Sequence, residues 1–220
     1  MIVDVINGSA PMKRLLISGP KGGIGKTTIS RNIAVAGALA GFSVATLDLD
    51  MQRGLTKWFS KRPDDMASIT HFEATMLTSD VQDALAGIVG FDLLIIDTPP
   101  SIEDHPESFK ILAGAADFII VPTGSSDDDL DSVRPWMQFV KSTGARAAFV
   151  LNRVKPRATG FIEAKSILVQ TGHLCPIEVP DYEDIAFSGN RGIGLLELKR
   201  AKGADHIGGV WHYVKAEMGL

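Results

Sequence analysis

The chain turns on one junction: the apolar run RLLIS leads into GPKGGIGKTT, Gly19 to Thr28, and then into the helix-forming TTISRNIAVAGALA. A strand that ends in a glycine-rich turn and feeds straight into a helix leaves unpaired backbone N–H groups from Gly22 to Thr28 converging at a helix N-terminus. Such a nest wraps an anion, and a phosphate chain fits it best. The turn closes on Gly-Lys-Thr, which places Lys26 for the β- and γ-phosphates and the Thr27 hydroxyl for Mg²⁺. Its start is unusual, because the pattern G-x-x-x-x-G-K-[ST] wants glycine where Pro20 stands, and a second lysine, Lys21, lies beside that proline. A loop that already holds Lys26 has no evident need for it.

A dinucleotide-binding turn shares the strand, the glycine cluster and an acid at the end of the next strand, here Asp48. Spacing excludes it. Reading G-x-G-x-x-G from Gly23 puts Thr28 at the third glycine, and Lys26 falls where the backbone must hug a pyrophosphate.

The rest of the chain repeats the strand-then-helix rhythm. SVATLDL, THFEA, DLLIIDT, FIIVPT, AAFVLNR and CPIEV are strand candidates besides RLLIS, and their near-continuous apolarity predicts strands covered on both faces. Helical patterns fall at Thr27–Leu39, Ser79–Ile88, Asp128–Lys141 and Gly160–Gln170. The expected fold is α/β, a mostly parallel central sheet with helices on both faces. No repeat or linker divides the chain, so residues 12–220 read as a single domain preceded by an extension, 1–11, that breaks at Gly8 to Pro11.

Bulk composition narrows the function. The 45% hydrophobic content suffices for a core without metal or disulfide support, and the lone Cys175 can form neither an internal bridge nor a Cys-x-x-Cys pair. The acidic start and early break of MIVDVINGSAPMKRLLIS do not match a signal peptide, and the apolar stretch IAVAGALAGFSVATL is too short for a bilayer, so a cytoplasmic protein is expected. A net charge of −4 restricts any nucleic-acid surface to a local patch.

Three further strand ends carry polar groups. Asp48 and Asp50 leave the second strand two residues apart, and Asp50, at the strand-to-loop junction where the chain turns over the phosphates, is the expected group that orients or deprotonates an attacking water. Asp97 tips the all-apolar FDLLII, where a carboxylate can hold the Mg²⁺ shell while the Thr98 loop senses the γ-phosphate. Asn152 ends AAFVLN, where its amide could pair with a base edge or simply form a turn.

Together these residues resemble the ParA/MinD ATPases, the deviant-Walker branch of the P-loop proteins. Lys21 to Thr28 match the loop K-G-G-x-G-K-T-T, Asp48 to Gln52 the second motif and Asp97 to Pro100 the third. D-x-D-x-Q followed by Leu55 and Trp58 looks like the small plasmid-partition type, with Met51 where that group usually has proline. The resemblance implies ATP and Mg²⁺ as cofactors, with Lys21, Gly22, Gly23, Ile24, Gly25, Lys26, Thr27 and Thr28 at the phosphates, Asn152, Pro180 and Asp181 at the base, and Thr27, Asp50 and Asp97 around the metal. It assigns catalytic roles to Lys21, Lys26 and Asp50, Lys21 reaching across an ATP-sandwiched homodimer to the partner's phosphates.

The same resemblance implies an ATP-dependent dimer that binds non-specific DNA, lies on the nucleoid when ATP-bound, and releases when a ParB-like centromere-binding or adaptor protein stimulates hydrolysis. Arg153, Lys155, Arg191, Lys199, Arg200 and Lys202 are the expected DNA contacts, with Arg157 and Lys165 as further cations of the second half. Iron–sulfur branches need cysteine pairs that one cysteine denies, and Tyr182 and Tyr213 do not make the tyrosine cluster of the bacterial kinases of this fold. MinD-like positioning of a protein cluster or division factor is the second reading. In the terminal GGVWHYVKAEMGL, however, Val210, Val214 and Met218 align on one face with Lys215 as the only cation, which predicts a helix packed on the core rather than on lipid. A small-molecule ligase or kinase of this fold is a third, with no use for Lys21.

Overall fold

The computed structural model describes residues 11–156 and 160–220. Its elements alternate as the patterning requires: β1 (Lys13–Ile17), α1 (Lys26–Leu39), β2 (Val44–Asp48), α2 (Gly54–Phe59), β3 (Thr70–Glu73), α3 (Thr78–Gly87), β4 (Leu93–Asp97), α4 (Pro106–Ala115), β5 (Phe118–Thr123), α5 (Asp127–Ser142), β6 (Ala147–Val154), α6 (Phe161–Thr171), β7 (His173–Leu174), β8 (Val179–Pro180), α7 (Glu183–Asn190) and α8 (Ala204–Met218). All but one residue of the expected extension, and Arg157, lie outside the described residues.

Every strand pairing is parallel, in the order β3-β2-β4-β1-β5-β6-β7, with β8 added to β6. Alternation along β1 sends Leu15 and Ile17 to one face and Leu16 to the other, and both faces are dry. α1, α2, α7 and α8 pack on the Leu15 face, and α3 to α6 on the Leu16 face. Burial on two sides explains why these strands read as unbroken apolar runs. The chain reverses its winding beside β1, whose neighbours are β4 and β5, and the crevice at the carboxyl ends of those strands is where an open α/β sheet accepts a ligand.

Two expectations about the second half differ in outcome. CPIEV is not one strand: the two-residue β7 ends just before it, the two-residue β8 takes in only its last residue, Val179, and Pro176, which has no N–H to donate, sits between them. The terminal helix does pack on the core, burying Val210, Val214 and Met218 together with Ile207 and Trp211. Among the described residues no helix is long and apolar enough to cross a membrane.

Candidate active site

The β1–α1 turn sets the site. Gly23 and Gly25 adopt φ of +78° and +91°, conformations that cost a side-chain-bearing residue about 1–2 kcal/mol. Gly25 is also the N-cap of α1, so the amides that follow it open toward the crevice. Behind the turn, Asn152 Nδ2 donates to the Ile24 carbonyl at 2.9 Å, and a Cβ on Gly25 would lie 1.9 Å from that nitrogen. Asn152 is thus a buried brace of the loop as well as a lining residue, a role that the strand-end reading did not foresee. On the other flank the Ser101 N–H donates to the Pro20 carbonyl at 3.0 Å, which gives the unexpected proline a place in fixing the loop to the segment after β4.

A cavity of about 620 Å³ opens over this turn. Gly22, Gly23, Gly25 and Lys26 to Thr28 line it, joined by Asp50, Asn152, Pro180 and Asp181, so most of the expected site residues converge. Lys26 folds its ammonium back onto the carbonyls of Lys21 (2.7 Å) and Gly19 (3.3 Å). Desolvation lowers its pKa, against the opposing pull of Asp97, Asp50 and Glu103. Ile24 turns inward under Gly19 and does not line this cavity.

Beneath the loop the acids divide their work. Asp97 is fully buried and accepts hydrogen bonds from Thr27 Oγ1 at 2.6 Å and Ser30 Oγ at 2.9 Å. Burial raises its pKa to about 7, with Asp48 adding to the rise and the two hydroxyls opposing it. Asp48 is buried too and holds the next loop in place: its Oδ1 accepts from the Asp50 N–H, and its Oδ2 from the Thr56 N–H and hydroxyl. His71 of β3 sits 2.9 Å from the same hydroxyl. Asp50, two residues beyond the end of β2, is left at the cavity, its Oδ1 accepting from the Gln52 N–H. Thr98 is buried on the Ile17 carbonyl, so Pro100 rather than Thr98 reaches the cavity from that loop.

Lys21 departs from its own site. Its ammonium lies outside the main cavity and donates to the Asp128 carbonyl at the start of α5. Arg153, read from sequence as a DNA contact, stands beside the phosphate loop: it bulges out of β6 with φ of 54° between Asn152 and Val154, donates to the Gly23 carbonyl at 3.0 Å, and lies 3.7 Å from Asp181. Lys155 follows it, exposed. Arg191, Lys199, Arg200 and Lys202 lie elsewhere, exposed along the segment from the end of α7 to α8, and Lys165 is paired with Glu178 at 2.9 Å. Sequence reading missed Arg31 of α1 and the α7 residues Ile185, Ala186 and Asn190, which close the far side of the cavity. The only signal for Arg31 was its spacing of four from Thr27.

The donor set fits ATP with Mg²⁺: a cradle of amides too tight for a Cβ at Gly25, an ammonium beside it, and a hydroxyl already held against a carboxylate. Thr27, Asp97 and Asp50 would hold the ion, whose charge would offset that of the phosphates. A parallel sheet with a phosphate loop at its switch point, and acids at the tips of β4 beside it and of β2 beyond, defines a P-loop nucleotide-binding protein. The chain belongs to the CobQ/CobB/MinD/ParA nucleotide-binding domain family, whose sequence model matches residues 15–196. The ParA/MinD resemblance is therefore correct at the level of family.

Among its relatives, the "Maintenance of carboxysome distribution protein A" of Gloeobacter kilaueensis is 30% identical over 168 residues, 76% of this chain and 74% of that one. The chromosome-partitioning ATPase Soj of Thermus thermophilus is 29% identical over 151 residues, covering 56% and 59%. An ATP complex of McdA from Cyanothece superposes with a TM-score of 0.74 at 20% identity, over 96% of this chain and 98% of that one.

Proposed function

We propose that the protein is an ATP-hydrolysing switch that dimerises around nucleotide, binds DNA without sequence preference in that state, and is released when a partner protein stimulates hydrolysis. The observation that carries this reading is the contrast between the two lysines of one loop. Lys26 lies in the chain's own cavity, whereas Lys21 points away from it, where a second chain's phosphates could meet it. Asp50 stands at the same cavity as the group for the attacking water. DNA contact would come from Arg191, Lys199, Arg200 and Lys202, presented twice by a dimer so that two weak faces act together.

The cargo reading is a plasmid or chromosome segment, supported by the similarity to Soj. The similarity to a carboxysome-distribution protein favours a second reading, in which the cargo is a protein cluster. The first experiment is binding to random-sequence DNA with ATP, with ADP and without nucleotide. Binding with ATP only, fading steeply with added salt, is expected; equal binding in all three states would remove the switch. Deleting the gene then separates the cargoes, since a segregation role raises the loss rate of a replicon, and stable inheritance with a displaced protein cluster overturns it.

A further inference from the structure

Of the cavity cations outside the motifs, Lys57, Arg153 and Arg31, the last is held back from water on α1. Arg31 follows Thr27 by four residues and Thr28 by three, so the three side chains share a face of α1, and Arg31 enters the cavity about one turn, ~5.4 Å, beyond the phosphate ligands. Its guanidinium is largely withdrawn from water. Nη2 donates to the Ile185 carbonyl of α7 at 2.8 Å, while the Nε–H is buried without a partner, and no salt bridge among the described residues includes this arginine. α7 is shaped to receive it: a Cβ on Gly189 would lie 2.0 Å from Nη1 and 2.2 Å from Cζ, so the guanidinium occupies the space that any other residue would fill.

Joining α1 to the α7 segment does not explain this arrangement. Asn32 already accepts from the Leu195 N–H at 2.8 Å, and Gly194 already lets Val35 approach so closely that a Cβ there would meet it at 2.7 Å. A desolvated cation that uses one of its five donors is costly to keep, and native interiors retain such groups where a ligand completes them. Burial draws the guanidinium pKa down to about 10, against the pull of Asp97, so the charge persists at neutral pH.

We propose that Arg31 is a nucleotide-binding residue that donates its unused N–H groups to an oxygen of the nucleotide just beyond the β-phosphate, on the α-phosphate or the ribose, while its bond to Ile185 holds α7 against the same ligand. The proposal rests on the nucleotide reading of the cavity and extends it to a residue outside the phosphate loop. It also makes the placement of α7, which ends beside Arg191, depend on what fills the cavity.

The test is calorimetric titration of ATP and of inorganic tripolyphosphate, both with Mg²⁺, into the wild-type chain, Arg31→Met, Gly189→Ala and the double variant. Arg31→Met should weaken ATP binding about tenfold, the worth of one charge-assisted hydrogen bond, without lowering the melting temperature of the nucleotide-free protein. Gly189→Ala should copy that loss by displacing the arginine, and should add nothing in the Arg31→Met background. A loss confined to ATP assigns the ribose, and a loss for tripolyphosphate as well assigns the α-phosphate. Unchanged ATP affinity in Arg31→Met, or variants that only melt earlier, would overturn the proposal. A wild-type chain that binds no ATP would instead overturn the reading of the cavity.

Discussion

The side chain of Asn152 occupies the space that a methyl group on Gly25 would need, 1.9 Å from its Nδ2, so the phosphate loop is closed from behind by a residue 127 positions later in the chain. Gly25→Ala meets two obstacles at once, this contact and a φ of +91°. Loss of measurable ATP binding is expected, with the circular dichroism of the fold retained. Asn152→Ala should act in the same direction more mildly, since it frees the Ile24 carbonyl without straining the backbone. A Gly25→Ala variant that binds ATP normally would show that the loop reshapes freely.

Asp50→Ala separates binding from turnover. The carboxylate lines the cavity without bracing the loop through its side chain beyond the Gln52 N–H, so ATP affinity should stay within a few-fold while kcat falls by about 10²–10⁴, the span of a lost general base. DNA binding with ATP should persist longer in this variant than in the wild type. Wild-type turnover by Asp50→Ala would exclude the assignment.

Lys21→Ala tests the two-chain site. The variant should keep appreciable ATP binding, because Lys26 and the loop amides remain, and should lose dimerisation, hydrolysis and DNA binding together. Mixing it with a Lys26→Ala chain places one intact loop and one intact Lys21 in a heterodimer, and some hydrolysis should return. If Lys21→Ala alone dimerises and turns over ATP as the wild type does, Lys21 is a surface lysine held by the Asp128 carbonyl and nothing more.

Away from the site, Arg62 and Glu197 form a buried bidentate pair, their side chains only 6% and 4% exposed, and Arg62 also reaches the Gly192 and Ala67 carbonyls. Glu197→Ala would strand the guanidinium inside the protein, and breaking such a pair costs about 3–5 kcal/mol. A thermal melt should show this as a large fall in melting temperature. Replacing both partners with apolar residues should recover much of it, and equal losses for single and double variants would contradict the account.

Local sequence carried most of the fold. Five of the strands and four helices were legible because each buries a continuous or periodic apolar pattern within one segment, and the structure places them, and the four-residue edge strand β3, within a residue or two of expectation. β7 and β8 were not, because a two-residue pairing at a sheet edge has no periodicity to read, and Pro176 merges with the strand-like residues around it. At the site, Lys26, Thr27, Asp50 and Asp97 were visible from contiguous motifs. Arg31 was hidden because its contact is with Ile185, 154 positions away, and the reach of Arg153 to Gly23 was not legible because a backbone bulge sets it.

α1 holds the phosphate ligands at its first turn and, near its other end, lets Trp211 of α8 close over Gly37, where a Cβ would stand 3.5 Å from the ring. These two contacts are separated by most of a helix of 14 residues, about 21 Å long. An opening that unravels α8 together with α1 destroys the helix N-terminus that holds the phosphates, and so requires nucleotide to leave. Saturation at a hundred times Kd adds about 2.7 kcal/mol to such an opening, so amide hydrogens of α8 that exchange only through it should slow about a hundredfold on adding ATP. The terminal helix becomes a distant reporter of an occupied phosphate loop.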